Sequence, residues 1–313
     1  MFKKTALSLM LFGITQLANA AVLTTVKPLG FIANAITDGV TQTDVLLPVT
    51  ASPHDYSLKP SDVAKLQSAQ LVVWIGEEME GFLEKSIDNL DKMKVLALQD
   101  VEAIEKLVES LKKDDHTHHH GHNHKHHHGH KHGHNHHHDH DHDEDWHIWL
   151  SPSASVHIAE QIASRLAQQM PEQKAKIEQN LAEFKQTLAT KDAEIKHQLA
   201  GFSTKGYYTF HDAYGHFEQA YGLKSLGSFT INPTIAPGAK TLNKIKNNIA
   251  KHKAQCLFAE PQFTPKVIES LRKGTSVKVG KLDPLGEQIA MGKTAYPQFL
   301  QSIADQFSQC LAK

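Results

Sequence analysis

Short apolar runs alternate with helix-like segments in two separate blocks of this 313-residue chain. Such alternation is typical of βα units, which build a parallel sheet covered by helices on both faces. The runs that we predict to be strands cover residues 21–26, 44–49, 71–76, 94–98, 206–210, 225–231, 254–259 and 276–281. The sequence therefore predicts an α/β fold with two lobes, each built on a parallel sheet.

A long helix is predicted between the two blocks. Residues 171–199 are rich in Ala, Glu, Gln, Lys and Leu, and Pro171 suits the first turn of a helix. Such a helix would be roughly 43 Å long at 1.5 Å per residue. We expect one rigid helix (171–200) to join an N-terminal lobe (21–170) to a C-terminal lobe (201–313). Shorter helices are predicted at 31–37, 60–68, 81–90, 212–221, 238–252, 265–272 and 297–311.

The N-terminus has the three parts of a secretory signal peptide. Lys3 and Lys4 precede a short apolar run, and Ala18-Asn19-Ala20 matches an A-x-A cleavage site. The apolar run is too short to span a bilayer. We therefore expect residues 1–20 to be removed after Ala20 and the mature protein to be exported.

The cysteine content agrees with export. Cys256 and Cys310 are the two cysteines of the chain. In an oxidising compartment such a pair is more often bridged than free. The sequence predicts a disulfide that staples the C-terminal lobe.

The overall charge argues against nucleic-acid binding. The chain has 33 Lys plus Arg against 34 Asp plus Glu. This balance provides no broad cationic field for phosphates. We therefore expect no nucleic-acid partner.

Histidine is the outlier of the composition. Of 24 histidines, 17 lie between His116 and His142. The surrounding insertion, residues 114–145, also holds seven acidic residues and two lysines. A segment this polar cannot bury enough apolar surface to offset the entropy of ordering, so we expect it to be disordered without metal.

Metal-capable side chains stand at the ends of predicted strands. His211 and Glu260 each follow a strand directly, Asp283 follows the last strand, and His54 comes after a strand and a short loop. His147 stands where the histidine-rich insertion rejoins the ordered chain. Open parallel sheets bind ligands at the carboxyl ends of their strands, and imidazoles from dispersed segments are typical of transition-metal sites. The pattern predicts a metal site in the cleft between the lobes.

Two of these carboxylates have other interpretations. Asp283 can also be a turn or helix cap. Glu260 can instead be an ion-pair partner or a group that supports a ligand. Four further histidines lie in or beside helical segments and are expected not to bind the metal: His157, His197, His216 and His252.

The motifs around the candidate ligands carry a family resemblance over essentially all of the mature chain. In order they are residues 54–57 (HDYS) with 60–62 (PSD), 146–152 (WHIWLSP), 211–214 (HDAY), 260–263 (EPQF) and 282–286 (LDPLG). Together they resemble the periplasmic metal-binding proteins of ABC importers, specifically those of the zinc (ZnuA) type. The resemblance implies two lobes joined by a rigid helix, zinc between them, and a histidine-rich loop in the N-terminal lobe. It also implies delivery of zinc to an inner-membrane permease with its ATPase.

The resemblance further implies a ligand set. Zinc members of the family have a histidine at the third ligand position, which His211 matches, and imidazole suits Zn²⁺ better than Mn²⁺. The expected ligands are His54, His147, His211 and Asp283, with water, alone or in exchange with Asp283, as the alternative fourth ligand. Some zinc members use an acidic residue immediately before the first histidine, but this chain has Pro53 there.

The function predicted from these residues is high-affinity capture of periplasmic Zn²⁺ for import by a monomeric protein that is not an enzyme. Additional, weaker zinc ions are expected in the histidine-rich loop. One alternative is a periplasmic zinc buffer or chaperone that works through this loop. The other is a secreted zinc hydrolase, because three histidines with an open position also define catalytic zinc. Against that alternative, the sequence has no H-E-x-x-H or G-x-S-x-G motif.

Overall fold

The structure, a computed structural model, describes residues 22–115, 144–262 and 266–312. Its centre consists of two four-stranded sheets with every recorded pairing parallel, which confirms the predicted pair of α/β lobes. The predicted signal peptide and the histidine-rich residues 116–143 lie outside the described residues.

The first lobe has the strand order β2-β1-β3-β4. Its strands are β1 (Val22–Thr24), β2 (Thr43–Val45), β3 (Leu71–Trp74) and β4 (Val95–Ala97). Its helices are α1 (Lys27–Thr37), α2 (Pro60–Ser68), α3 (Glu77–Glu80), α4 (Glu84–Asp88), α5 (Glu102–Asp115) and α6 (Pro152–Gln169). All four residues of β3 are buried, as expected of a strand covered on both faces.

The second lobe repeats this topology in the order β6-β5-β7-β8. Its strands are β5 (Tyr207–His211), β6 (Ser228–Thr230), β7 (Cys256–Ala259) and β8 (Lys278–Lys281). In such an open sheet the ligand crevice lies where the strand order reverses, here between β5 and β7. His211 ends β5 and Glu260 follows β7, so both residues stand at this point.

The predicted long connector is confirmed. A 3₁₀ turn (Pro171–Gln173) leads into α7 (Lys174–Leu199), which packs against α6, α1 and α11. The remaining helices of the second lobe are α8 (Gly215–Tyr221), α9 (Ala239–Ala250), α10 (Lys266–Arg272) and α11 (Ala295–Leu311). The lobe boundaries set at residues 170 and 200 stay predictions.

The two lobes share one hydrophobic core. It runs without a break from β1 and α1 through α6 and α7 to β5, β7 and α11. Phe31 of α1 packs against Phe299 of α11, with ring centroids 5.8 Å apart. The indole nitrogen of Trp149 donates to the carbonyl oxygen of Pro284 (2.8 Å). Because this packing crosses the lobes, large rigid-body opening would expose core side chains.

Two local predictions were wrong. The segment predicted as one helix at 81–90 is instead α3, a 3₁₀ turn (Gly81–Leu83) and α4. Glu80 accounts for part of this break, because its carboxylate turns inward to accept the backbone N–H of Ile75 (2.8 Å). Helix α5 was not predicted, and since it continues to Asp115, the first two residues of the predicted disordered insertion are helical.

The predicted disulfide joins Cys256 at the start of β7 to Cys310 in α11, with Cα atoms 6.0 Å apart. It lies at the opposite end of β7 from Glu260, so it staples the lobe away from the carboxyl edge of the sheet. Among the described residues, no helix has the length and apolar character needed to cross a bilayer.

Candidate metal site

Three histidines from separate segments meet between the lobes. His54 lies in the loop between β2 and α2, His147 precedes a 3₁₀ turn that leads into α6, and His211 ends β5. The Nε2 atom of His147 lies 3.1 Å from Nε2 of His54 and 3.3 Å from Nε2 of His211. Within the described ranges, no other group of three or more His, Cys, Asp or Glu side chains is close enough to share an ion.

The spacing of these nitrogens fits zinc. A tetrahedral Zn²⁺ with Zn–N bonds of about 2.0–2.1 Å separates its ligand atoms by about 3.3–3.4 Å. The two recorded Nε2–Nε2 distances, 3.1 and 3.3 Å, are close to this edge length. Small movements of the rings would therefore suffice to bind the ion.

His147 is oriented by Asp145. Its Nδ1 lies 2.6 Å from Oδ1 of Asp145, and the same oxygen accepts the backbone N–H of His147 (3.0 Å). Burial of Asp145 would raise its pKa, but the interactions with His147 and His216 outweigh this effect and lower the pKa overall. His216 also donates from Nε2 to the backbone carbonyl of Asp145 (2.7 Å), so it supports the segment and is not part of the three-histidine group.

His211 is oriented in the same way by Glu260. Nδ1 of His211 lies 2.6 and 2.8 Å from the two carboxylate oxygens, and both residues are buried. Tyr214 donates a further hydrogen bond to Glu260 (3.2 Å). A carboxylate on Nδ1 selects the Nδ1–H tautomer and directs the lone pair of Nε2 towards a metal.

Burial keeps the first two histidines neutral. Together with the neighbouring His147 and His211, it lowers the pKa of His54 to about 2. Burial also lowers the pKa of His147 despite the nearby Asp145. Because only neutral imidazole binds a metal, these side chains are ready to ligate without losing a proton.

The loop that carries His54 is fixed at both ends. Ser52 accepts the backbone N–H of His54 (3.2 Å). Asp62, in the first turn of α2, accepts the backbone N–H of Lys59 (2.9 Å) and the hydroxyl of Tyr56 (3.1 Å). These bonds explain why His54 is followed by a tyrosine and, further on, by an aspartate at the helix start.

Asp283 contacts Gln262, which lines the cavity beside the histidines, and its carboxylate is occupied by hydrogen bonds. Its Oδ1 accepts from the side-chain amide of Gln262 (3.1 Å) and the backbone N–H of Leu285 (3.2 Å). Its Oδ2 accepts the backbone N–H of Glu287 (2.7 Å). Asp283 therefore caps the turn that follows β8, one of the roles considered from the sequence. Its role as the fourth ligand stays a prediction.

A small cavity of about 20 Å³ lies beside the three imidazoles. A single water needs about 10–15 Å³ on this measure. The cavity therefore admits an ion and at most one water. The residues that line it are Ala51, Ser52, Pro53, His54, His147, Trp149, His211, Pro233, Glu260, Gln262, Pro284 and Leu285.

Two residues of this site were not identified from the sequence. Asp145 was counted only as part of the acidic insertion, although its spacing two residues before His147 was the available signal. Gln262 appeared only as part of the EPQF motif and was given no role, since a glutamine in a loop is usually exposed. Glu260 was considered as a supporting group, which is the position that it occupies.

Two parallel-sheet lobes with a shared core, a long connecting helix and converging histidines between them define a two-lobed metal-binding protein of the solute-binding class. The family model described as "Zinc-uptake complex component A periplasmic" (ZnuA) matches residues 22–310, and the chain belongs to this family.

Individual relatives agree over the full length. The chain is 72% identical over 313 residues to the high-affinity zinc uptake system protein ZnuA of Haemophilus ducreyi, covering 100% of both chains. It is 53% identical to the protein of the same name from Haemophilus influenzae, covering 100% of this chain and 99% of that one.

Solved structures share the fold. The periplasmic zinc-binding protein TroA of Treponema pallidum matches with a TM-score of 0.74 at 20% identity, over 94% of this chain and 100% of its own. A crystal structure of ZnuA matches with a TM-score of 0.72 at 21% identity, over 93% of this chain and 98% of its own.

Proposed function

We propose that the protein captures Zn²⁺ in the periplasm with high affinity and delivers it to an ABC importer in the inner membrane. The observation that carries this proposal is the convergence of three Nε2 atoms, two of them on imidazoles whose Nδ1 faces a buried or largely buried carboxylate. With Nδ1–H facing the carboxylates, the Nε2 lone pairs of His147 and His211 face each other at 3.3 Å, which is unfavourable without a cation. A divalent metal that prefers imidazole relieves this repulsion.

In this proposal His54, His147 and His211 bind the ion through Nε2. The sequence left Asp283 and water for the fourth position. Asp145 and Glu260 contribute negative charge directly behind two of the ligands, which favours a cation in a site shielded from water.

The partners follow from membership of the family. A periplasmic zinc-uptake component works with a membrane permease and its ATPase. We propose that the mature chain starts after Ala20 and acts as a monomer, with lobes at residues 21–170 and 201–313 and the connecting helix at 171–200. The packed core between the lobes suggests that zinc is released through local movement around the site rather than wide opening.

Binding for transport is favoured over catalysis. A cavity of about 20 Å³ has no room for a peptide or ester beside the ion. We therefore propose that the protein is not an enzyme.

The histidine-rich loop is proposed to bind several further zinc ions weakly. Because the composition of this segment predicts that metal binding must order it, each loop site should lose more entropy on binding and be weaker than the preorganised three-histidine site. The loop would collect zinc as an accessory to transport.

Calorimetric zinc titration of the full chain and of a variant lacking residues 117–142 tests the proposal. The deletion should retain one tight binding event and lose the weak ones. If the tight event disappears while the lobes remain folded, zinc capture depends on the loop, and the buffer function replaces the one proposed here. Growth of cells carrying the deletion on scarce zinc separates the same two functions, because a transport protein should still support it.

A further inference from the structure

Gln262 has a buried polar atom without a partner next to the three histidines. Its Oε1 is buried and accepts no hydrogen bond from any group in the described part of the chain. Gln262 also lines the same small cavity as His54, His147 and His211. Buried amide oxygens are nearly always hydrogen-bonded, because leaving one unpaired is costly. The oxygen therefore requires a donor that the described residues do not supply.

Asp283 determines which end of the amide is available. Its Oδ1 accepts from Nε2 of Gln262 (3.1 Å), and the same carboxylate accepts the backbone N–H groups of Leu285 and Glu287. An ionised carboxylate accepts and cannot donate, so the amide nitrogen must face it. The amide oxygen is then the end of Gln262 that has no partner among the described residues.

We propose that Oε1 of Gln262 holds the fourth position of the metal site by accepting a hydrogen bond from a water bound to the ion. This inference rests on the proposed three-histidine zinc site. Three-histidine zinc sites complete their tetrahedron with water, and a water bound to zinc is a strong donor because the ion polarises its protons. The cavity of about 20 Å³ admits an ion and one such water.

Asp283 acts in this arrangement as a positioning residue. Its two oxygens already accept three hydrogen bonds, from Gln262, Leu285 and Glu287. Direct ligation of zinc would weaken or break bonds that shape the turn after β8. Through Nε2 of Gln262 the carboxylate instead fixes the amide that holds the water. Of the two fourth ligands left open by the sequence, the geometry points to water.

The test uses the full chain loaded with one equivalent of Co²⁺, whose visible spectrum reports tetrahedral coordination and ionisation of a bound water. Gln262→Met keeps a side chain of similar length and removes the acceptor. The matched control is Gln255→Met, which makes the same change at an exposed residue before the start of β7. Zinc affinity is measured for each variant by competition with a chelator.

The visible spectrum of the Co²⁺-loaded wild-type protein should change with pH as the bound water loses a proton. The midpoint of this change should fall by about one pH unit in Gln262→Met, because loss of a hydrogen bond to the neutral water favours hydroxide. Zinc should bind Gln262→Met about tenfold more weakly, and Gln255→Met should behave as wild type.

Two results would overturn the inference while leaving zinc binding by the histidines intact. One is a tetrahedral cobalt spectrum that does not change with pH but loses intensity in Asp283→Asn, which would make Asp283 the ligand. The other is a titration whose midpoint is the same in wild type and after substitution of Gln262. A wild-type protein with no tetrahedral band at all would contradict the three-histidine site itself, and this inference with it.

Discussion

Glu260 brackets Nδ1 of His211 with its two carboxylate oxygens, at 2.6 and 2.8 Å, across the crevice between β5 and β7. Both side chains are almost completely buried. The pair places a carboxylate directly behind a histidine that we propose binds the metal. The site is thereby prepared for a cation before any ion enters it.

Glu260→Gln should weaken zinc binding by about 10- to 100-fold, the usual cost of removing a carboxylate that supports a metal-binding histidine. The amide keeps the size of the side chain but removes the charge. Chelator competition measures the effect. Glu218→Gln is the matched control, because Glu218 is a partly buried glutamate of the same lobe that is bonded to Tyr207 and Ser225 rather than to one of the three histidines. Equal losses in the two variants would mean that Glu260 acts only on folding.

Zinc bound by the three histidines should persist to lower pH than zinc bound by the loop. Burial lowers the pKa of His54 to about 2 and also lowers that of His147, so protons compete less with the metal at these residues than at an ordinary histidine. Exposed histidines titrate near pH 6.5, so the loop should release zinc between about pH 6.5 and 5.5. The number of zinc ions bound per protein should fall from several at pH 7.5 to one at pH 5.5. Loss of the tight ion first would contradict the site.

Glu80→Gln should change how stability depends on pH. Burial raises the pKa of Glu80 to about 7 from a usual value near 4.5, so the folded state holds a proton that the unfolded state has lost. The stability from this group is complete below about pH 4.5 and is lost as pH rises through 7. Gln cannot ionise, and its oxygen can still accept the N–H of Ile75.

Relative to wild type, the Glu80→Gln variant should therefore gain about 2–3 kcal/mol in unfolding free energy between pH 5 and pH 8. Urea unfolding of the metal-free proteins at the two pH values measures this difference. A constant difference would show that Glu80 does not titrate differently in the folded state.

Phe31→Ala should destabilise both lobes together by about 3–5 kcal/mol, the usual cost of removing a fully buried phenylalanine. Phe31 is 0% exposed and packs on Phe299 from the other lobe. Because one core spans the lobes, thermal unfolding should remain a single transition at a lower temperature. Two separate transitions in the wild-type protein would show that the lobes are energetically independent.

The sequence predicted the fold well because its signals were local. Buried strands such as β3 are continuous apolar runs, and the ligands His211 and His54 follow predicted strands. Helix α5 was missed because its charged surface leads directly into the histidine-rich segment, which hides an apolar face that includes Ile104 and Val108.

Contacts between distant segments were beyond the reach of these signals. The bond between Trp149 and Pro284 joins residues 135 positions apart, and nothing in either segment specifies it. The buried oxygen of Gln262 is visible only once Asp283 is seen to hold the other end of the amide. Such relationships depend on the packing of whole lobes.

The most direct test of the three-histidine site is zinc affinity in His211→Ala compared with His157→Ala, both in the chain lacking residues 117–142. His157 lies on α6 beside Glu160 and is not part of the three-histidine group, so its loss should leave tight binding unchanged. His211→Ala should lower the affinity for one zinc ion by at least two orders of magnitude. One of the three proposed protein ligands and the link to Glu260 are then gone. Tight one-to-one binding that survives in His211→Ala would contradict a zinc site between the lobes.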